Sequence, residues 1–548
     1  MTEQGLPQQS AVDGNSRASG TGWSRWRFWT EVLVGTAALA EIALFLIASL
    51  GRLRYAFPLE QLEGPMLLTA ERVAHGLPVY VRPTFHFIPY MYAPAYYYVS
   101  GWAVRMLGPG FLPLRLVSLL STCVAFAIIY IFVLLDTTGT RRRRHLAALA
   151  GAGLYAAAYP WTRGWFDLGR LDSFYVFLLL LALLCTRWCR RSWHPAIAAA
   201  AWTLAFLAKQ TIFPVALIML CFDWKRPRRV LMGAGSFLLM VAVTTGLLNF
   251  TTRGWFRFYA FTVPRANADL LLRPAVFFIF SQLLAPFAVA GLIAAIAWTR
   301  MRAKKRGMAE VSSRARFYLL AAISTFGLCW FLQAHGGATM NTPMPMYAAL
   351  AVIFGISFGR IDASLALEGC REPARVLLLA AVAIPLVSWI YNPRDFVPHR
   401  YVIGSESQMI AWMRTFPGDV YLPSHPYEAV LAGKSWRPDM AALHDALAPD
   451  IPPIRLLLLK EIRSEIDGEK FDAIGFDGPP AQALASEPWL PRDLETHYPI
   501  VGLVPGGEAG NPFTPHPVYF LLPCREQARA VSAGWTLLRT SGQASCAQ

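Results

Sequence analysis

Residues 59–80 read "LEQLEGPMLLTAERVAHGLPVY" and stand between the first two apolar runs long enough to cross a bilayer. They place Glu60 and Glu63 just beyond a greasy helix. A carboxylate beside hydrocarbon is expensive unless a partner or a task keeps it there. If the flanking runs are spans, the chain is a polytopic helical membrane protein, and this stretch is a loop at its surface.

Composition supports the spans. Of 548 residues, 55% are hydrophobic and 15% charged, against about 25% charged in a soluble domain. Mean hydropathy is +0.39. The first apolar run is Thr30–Leu50, and roughly ten more precede Asn392. Residues 1–29 are polar and expected to be a disordered cytoplasmic tail. No small-residue cleavage site follows the first run, which therefore reads as a retained helix rather than a signal peptide.

The net charge of +16 is spread in a telling way. Basic clusters recur at Arg141–Arg144, Arg187–Arg191, Lys225–Arg229, Arg300–Arg306 and Arg371–Arg375, each two spans apart. That is the positive-inside pattern and places these loops in the cytoplasm. Nucleic acid would need the charge on one folded face. Counting against these anchors gives an all-α polytopic membrane domain over 30–391 with about 11 helices, the N-terminus inside and the C-terminus outside. The eighth of these spans is expected at about Pro274–Trp298.

After Asn392 the charge returns and the apolar runs shorten. "ESQMIAWMRTF" and "IRLLLLKEIRSEI" read as amphipathic helices, and "GDVYLP", "FDAIGF", "IVGLVP" and "VYFLLP" as strands. Residues 392–548 suffice for one small extracytoplasmic α/β domain. Of eight cysteines, none forms a CxxC or zinc-like spacing. Only Cys524 and Cys546 fall in this tail, the compartment where disulfides persist, and a bridge between them would pin the terminus. There is no Gly-rich phosphate loop, so nucleotide-driven chemistry is not expected. No cofactor is expected either, and the sequence leaves a need for a divalent metal open.

Polar residues gather on the external side: Glu60, Glu63 and His86 between the first two spans; Arg163, Asp167, Arg170 and Asp172 between the third and fourth; Lys209 in "AKQT"; Arg253, Arg257, Arg265 and Arg273 after the seventh; His335 and Asn341 after the ninth. Cations facing carboxylates at headgroup level suit an anionic lipid and a reaction beside it. Each also has a plain structural reading: Glu63 as helix-terminus charge, Arg170 paired with Asp172, the arginines gripping headgroups, Tyr and Trp as interfacial belt. Glu41, in the middle of the first span, faces a bundle interior on either reading.

The stretch "LEQLEGPMLLTAERVAHGLPVYVRPTFHFIPYMYAPAYYY" resembles the first external loop of GT-C superfamily glycosyltransferases: an acid, then Glu-Gly, a short helix, "G-x-P-x-Y" and "Y-x-P-x-Y-Y". That family includes protein O-mannosyltransferases and the lipid A aminoarabinose transferase. The many-span layout, "LAKQT" and the external tail fit it too. The resemblance implies transfer of a sugar from a polyprenyl-phosphate carrier, with a loop carboxylate as base, but carries over neither the sugar nor the acceptor; a glycan or lipid-linked acceptor and a bacterial-type cytoplasmic membrane are the expected setting. Two departures stand out. Many relatives have adjacent acids, whereas Glu60 and Glu63 are three apart, and Tyr92 stands near a place where the aminoarabinose transferase has a phosphate-contacting basic residue.

On this reading Glu63 is the general base, at the start of an amphipathic stretch and in the family's Glu-Gly pattern, and Glu60 supports it or binds acceptor. Arg265 is the first phosphate candidate, with Arg170, Lys209 and His335 behind it, because arginine's planar fork matches phosphate oxygens. His86, Tyr92, Tyr96, Asp172 and Asn341 are candidate substrate-binding residues. The alternatives are an O-antigen-ligase-like polymerase and a transporter of an anionic lipid or solute; a transporter should show inverted pseudo-repeats, and no internal repeat is visible.

Overall fold

Helix α1 (Gly14–Arg52) runs unbroken for 39 residues, starting well ahead of Thr30. The computed structural model describes residues 14–188, 194–267, 308–333, 338–367, 372–449, 451–487, 489–503 and 517–539, with isolated positions 275, 276, 279 and 546. The expectation of a disordered tail through residue 29 is corrected over 14–29, which are helical. Ion pairs hold the end of that extension: Arg27 reaches Glu372 at 2.6 Å, and Glu31 reaches Arg142 at 2.9 Å.

Six helices among the described residues are long and apolar enough to span: Gly22–Arg52, Phe111–Asp136, Leu171–Trp188, Pro227–Thr251, Ser313–Gln333 and Met344–Ala366. In chain order, α2 (Glu63–Ala74) and α3 (Ala95–Leu107) precede α4 (Phe111–Asp136) and α5 (Arg141–Ala157). Then come α6 (Leu171–Trp188), α7 (His194–Ala208), α8 (Phe213–Leu220) and α9 (Pro227–Thr251). Helices Met308–Gln333, Met344–Leu367 and Glu372–Ser388 complete this part. The expected span at Pro274–Trp298 falls almost wholly outside the described residues, as do Cys189, Arg273, His335 and Cys370.

Lipid tails are as apolar as leucine, so helices in a bilayer associate through close backbone packing. The small residues of α5 allow it: a Cβ on Gly153 would lie 2.6 Å from the Ala38 Cα of α1, and one on Gly355 would lie 2.9 Å from the Ala147 carbonyl. Helix α9 leaves Leu231, Leu239, Leu247 and Phe250 exposed, Phe250 by 83%. Such a surface belongs in hydrocarbon. The protein is a multi-pass membrane protein.

Glu41, midway along α1, is fully buried, and neither carboxylate oxygen has a hydrogen-bond partner among the described residues. Replacing an unsatisfied buried polar group with an apolar one of similar shape is neutral or stabilising. Glu41→Met should therefore leave the melting temperature in detergent unchanged or higher, whereas a fall would show that the carboxylate has a structural partner.

Helices α2 and α3 lie outside the span count. The aromatic run after Pro94 hides a helix with Tyr96, Tyr97, Ser100 and Val104 on its buried face. A Cβ on Gly101 would meet the Val73 side chain at 2.6 Å, so α2 and α3 pack almost backbone to backbone.

The tail is α/β, as its turn clusters and short strands imply. Strands β1 (Asp419–Tyr421), β2 (Phe471–Phe476), β3 (Ile500–Leu503) and β4 (Tyr519–Leu522) coincide with the expected ones, and β5 (Thr536–Arg539) adds an edge. Sheet order is β1-β2-β4-β3-β5, parallel between β1 and β2 and antiparallel elsewhere. Trp412 of helix Arg400–Met413 stacks on Trp535 at 3.8 Å in its core. Cys524 and Cys546 form a disulfide across 22 residues of sequence. In the chain-entropy model a loop of this length is worth about 3 kcal/mol, so Cys546→Ser should lower the unfolding free energy of the tail by about that much and free one thiol for alkylation in the unreduced protein.

The tail also covers the membrane part. A Cβ on Gly64 would be 2.8 Å from Tyr427, Phe85 inserts against Tyr421 at 5.3 Å, and Arg82 pairs with Glu461 at 3.0 Å.

Candidate active site

Glu63 opens α2 and is 0% exposed. Arg115, on the inner face of α4, donates to both of its oxygens, at 3.2 and 2.7 Å. The backbone N–H groups of Leu59 and Gly169 complete four hydrogen bonds to one carboxylate. Arg115 also ties down the carbonyls of Arg52, Tyr55 and Phe57. Burial alone would raise the Glu63 pKa, but the Arg115 guanidinium and the two backbone donors outweigh it and hold the carboxyl below its ordinary value. Glu63 is therefore a buried clasp between α2, α4 and the loop before α6. The base role expected for Glu63 would need an open, basic oxygen, and here both oxygens accept hydrogen bonds from described residues.

A second clasp fixes that same loop. Arg52, the last residue of α1, pairs with Asp167 and also holds the Gly164 carbonyl, and Tyr159 donates to Asp167 at 3.1 Å. With the loop pinned at both clasps, Arg170 points into a polar cluster just ahead of α6.

That cluster gathers residues distant in sequence. Arg170, 3% exposed, reaches Glu60 at 2.8 Å, stacks over the Trp165 ring at 4.6 Å, and lies 3.6 Å from Asp172. Asp172, in the first turn of α6, accepts from Lys209 at 3.0 Å and from Asn341 at 2.9 Å. Tyr92 joins through its hydroxyl, 3.4 Å from Arg170, and through its ring near Lys209. Burial alone would lower the Arg170 pKa, but the charge of Glu60 leads the effects that push it further above its ordinary value, so the guanidinium stays charged. Glu60 is 21% exposed. Its Oε2 takes Arg170 and the Leu62 N–H, while Oε1 has no donor among the described residues.

Lys209 reaches this place because the chain breaks between α7 and α8. It precedes a 3-10 turn at Gln210–Ile212 instead of continuing the helix. Gln210 then donates to the carbonyls of Met91 and Ala260, and so stitches the aromatic loop to the segment after α9.

The tail meets the aromatic loop that carries Tyr92. Tyr90 donates to Asp439, which also caps helix Met440–Leu447 through the Ala442 N–H. Burial pushes Asp439 up to about 6, and burial followed by the Asp439 charge pushes Asp445 up to about 7. A carboxyl with a raised folded pKa contributes stability that is fully present below its unfolded pKa, near 4, and is lost as pH rises through 6–7. Asp445→Asn should therefore raise the melting temperature at pH 8 and change it little at pH 4, and an unchanged value at pH 8 would contradict the burial.

Of the other sequence candidates, Tyr96 is buried beneath the cluster against Phe174. His86 is largely exposed and pairs with Glu465 in the seam between loop and tail, and Arg265 is exposed with no ion pair to any described residue. Neither joins the cluster. His335 lies outside the described residues. Arg115, Tyr90, Gln210, Asp439 and Asp445 were not singled out from sequence, and only Arg115, a cation inside an apolar run, carried a signal that could have found it. Among the described residues, no group of three or more His, Cys, Asp or Glu is arranged to hold a metal ion.

No protein-family model matches the chain, and no curated protein matches it. Solved structures do. ArnT from Cupriavidus metallidurans bound to undecaprenyl phosphate superposes with a TM-score of 0.56 at 15% identity, covering 83% of this chain and 95% of that one. The chain has the ArnT fold. ArnT in the apo state gives a TM-score of 0.53 at 16% identity, over 89% of this chain and 98% of that one. ArnT is a GT-C membrane glycosyltransferase, so the resemblance in residues 59–98 is matched by the fold. The coverage of almost the whole of ArnT means that the likeness takes in the tail as well as the helices.

Proposed function

We propose that the protein is a membrane glycosyltransferase that takes a sugar from a polyprenyl-phosphate donor and passes it to a glycan or lipid-linked acceptor on the extracytoplasmic face of a bacterial-type cytoplasmic membrane. The observation that carries this reading is the Glu60–Arg170–Asp172–Lys209 cluster, set in a fold shared with a protein that binds undecaprenyl phosphate. Glu60 is the general base, since its side chain is 21% exposed and its Oε1 accepts no hydrogen bond from the described residues. Lys209 and Arg170 hold the donor phosphate. Lysine has three N–H donors, of which Lys209 gives one to Asp172, and Arg170 Nε has no hydrogen-bond partner among the described residues. Asp172 and Asn341 aim Lys209 rather than bind sugar.

The chemistry follows from these placements. An acceptor hydroxyl attacks the anomeric carbon from the face opposite the phosphate, its proton passes to Glu60, and the electron pair of the breaking C–O bond leaves with the phosphate. Lipid phosphate departs as a stable anion, so the second carboxyl that a glycosidase needs to protonate its leaving group is not required here. The anomeric centre inverts.

The test is incubation of the purified protein with a panel of polyprenyl-phosphate sugars and acceptor glycolipids. Release of carrier phosphate with at least one donor is expected. Its absence, with facilitated flux of an anionic lipid or solute in liposomes, would replace this reading with a transporter.

A further inference from the structure

Helix α6 carries Asp172 in its first turn and Arg187 in its last, which at 1.5 Å per residue puts them about 22 Å apart. The far end of α6 is therefore at the opposite membrane face from the candidate active site, and there the structure holds a cavity of about 540 Å³ between α6, α7, α9 and helix Met308–Gln333. Six cationic side chains line it: Arg187, Lys225, Arg226, Arg229, Arg314 and Arg316.

Among the described residues of the lining Asp223 is the one acid, and its contacts to Arg226 and Arg316 are long, 3.6 and 3.8 Å. Behind the wall, Asp136 is shared by Arg187, Arg314 and Arg360 at 2.9, 3.2 and 3.5 Å. Arg316 Nε is buried with no hydrogen-bond partner among the described residues. Cations packed this closely repel one another in a medium of low dielectric, and an anion between them relieves the repulsion.

The lower wall is apolar, with Leu220, Phe222, Val230 and Phe317. The stretch of α9 that supplies Arg229, Val230 and Gly233 turns Leu231 and Met232 outward, exposed by 76% and 44%. An anionic head with acyl chains would meet cations in the cavity and lipid-facing leucine and methionine beside it.

We infer that this cavity binds a phosphate-bearing anion, presented as the headgroup of an anionic phospholipid from the leaflet opposite the active site. The basic loops that form it are those the positive-inside rule assigns to the cytoplasm, where anionic lipid is enriched and basic pockets between helices take such heads. The site is separate from the donor phosphate site and does not depend on the glycosyltransferase reading.

Native mass spectrometry of the full chain in detergent tests it, with phosphatidylglycerol, phosphatidylcholine and inorganic phosphate as probes. Phosphatidylglycerol should bind at least about tenfold more tightly than phosphatidylcholine, as expected for charge-assisted contacts. Lys225→Glu/Arg226→Glu, at the exposed rim, should erase that preference while the protein still elutes as a single species. Millimolar inorganic phosphate should not displace the lipid. Equal affinity for the two lipids, or an unchanged preference in the charge-reversed variant, would overturn the site, and displacement by inorganic phosphate would overturn the lipid as its source.

Discussion

Glu60→Gln should lower turnover by about 10²–10⁴-fold, the range for loss of a positioned general base, and leave carrier binding within a few fold of wild type. The substitution keeps the side chain's length and the oxygen that can face Arg170, so the cluster at Arg170 and Lys209 stays assembled. What it removes is the ability to take the acceptor's proton. Turnover with pre-loaded donor, measured beside carrier affinity, separates the two effects. If Glu60→Gln turns over near the wild-type rate, the base is elsewhere, and Asp172, with Oδ2 buried and lacking a hydrogen-bond partner among the described residues, is next in line.

Arg115→Met should be about as damaging for a different reason. It leaves Glu63 buried and charged without its cation, and breaking a buried pair from one side costs about 3–5 kcal/mol. The variant should accumulate poorly or melt far below the wild type. Replacing both partners, Arg115→Met with Glu63→Met, removes the stranded charge and should recover much of the loss, although the carbonyls of Tyr55 and Phe57 would still lack their donor. A double variant that folds and retains measurable turnover would confirm Glu63 as a clasp. A double variant that folds well but is inert by 10²-fold or more, with Glu60→Gln active, would return the base to Glu63.

The contrast between the two glutamates shows what a sequence can carry. Hydropathy and the spacing of basic clusters made the helical membrane part legible, because both report the solvent around the chain and not its partners. The strands at "FDAIGF" and "VYFLLP" were legible for the same reason. The choice between Glu60 and Glu63 was not. Both stand near one helix start three residues apart, and only the arrival of Arg115 and Gly169 from other elements closes off Glu63. Arg265 has the right chemistry for phosphate, but the segment after α9 leaves it exposed and outside the cluster at Arg170 and Lys209. Lys209 and Asn341, from different hairpins, converge on Asp172 by tertiary packing that no local pattern encodes. Helix α3 was hidden by Pro94 and a run of tyrosines, whose helical spacing shows only once the buried face is known.

The most direct measurement is an experimental structure of the full-length protein with undecaprenyl phosphate added. The phosphate should lie within hydrogen-bonding distance of Lys209 Nζ and Arg170, with Glu60 Oε1 facing the space beside it and Glu63 still enclosed by Arg115. Phosphate held at Arg265, or at any place from which Glu60 cannot reach an acceptor at the anomeric carbon, would contradict the account.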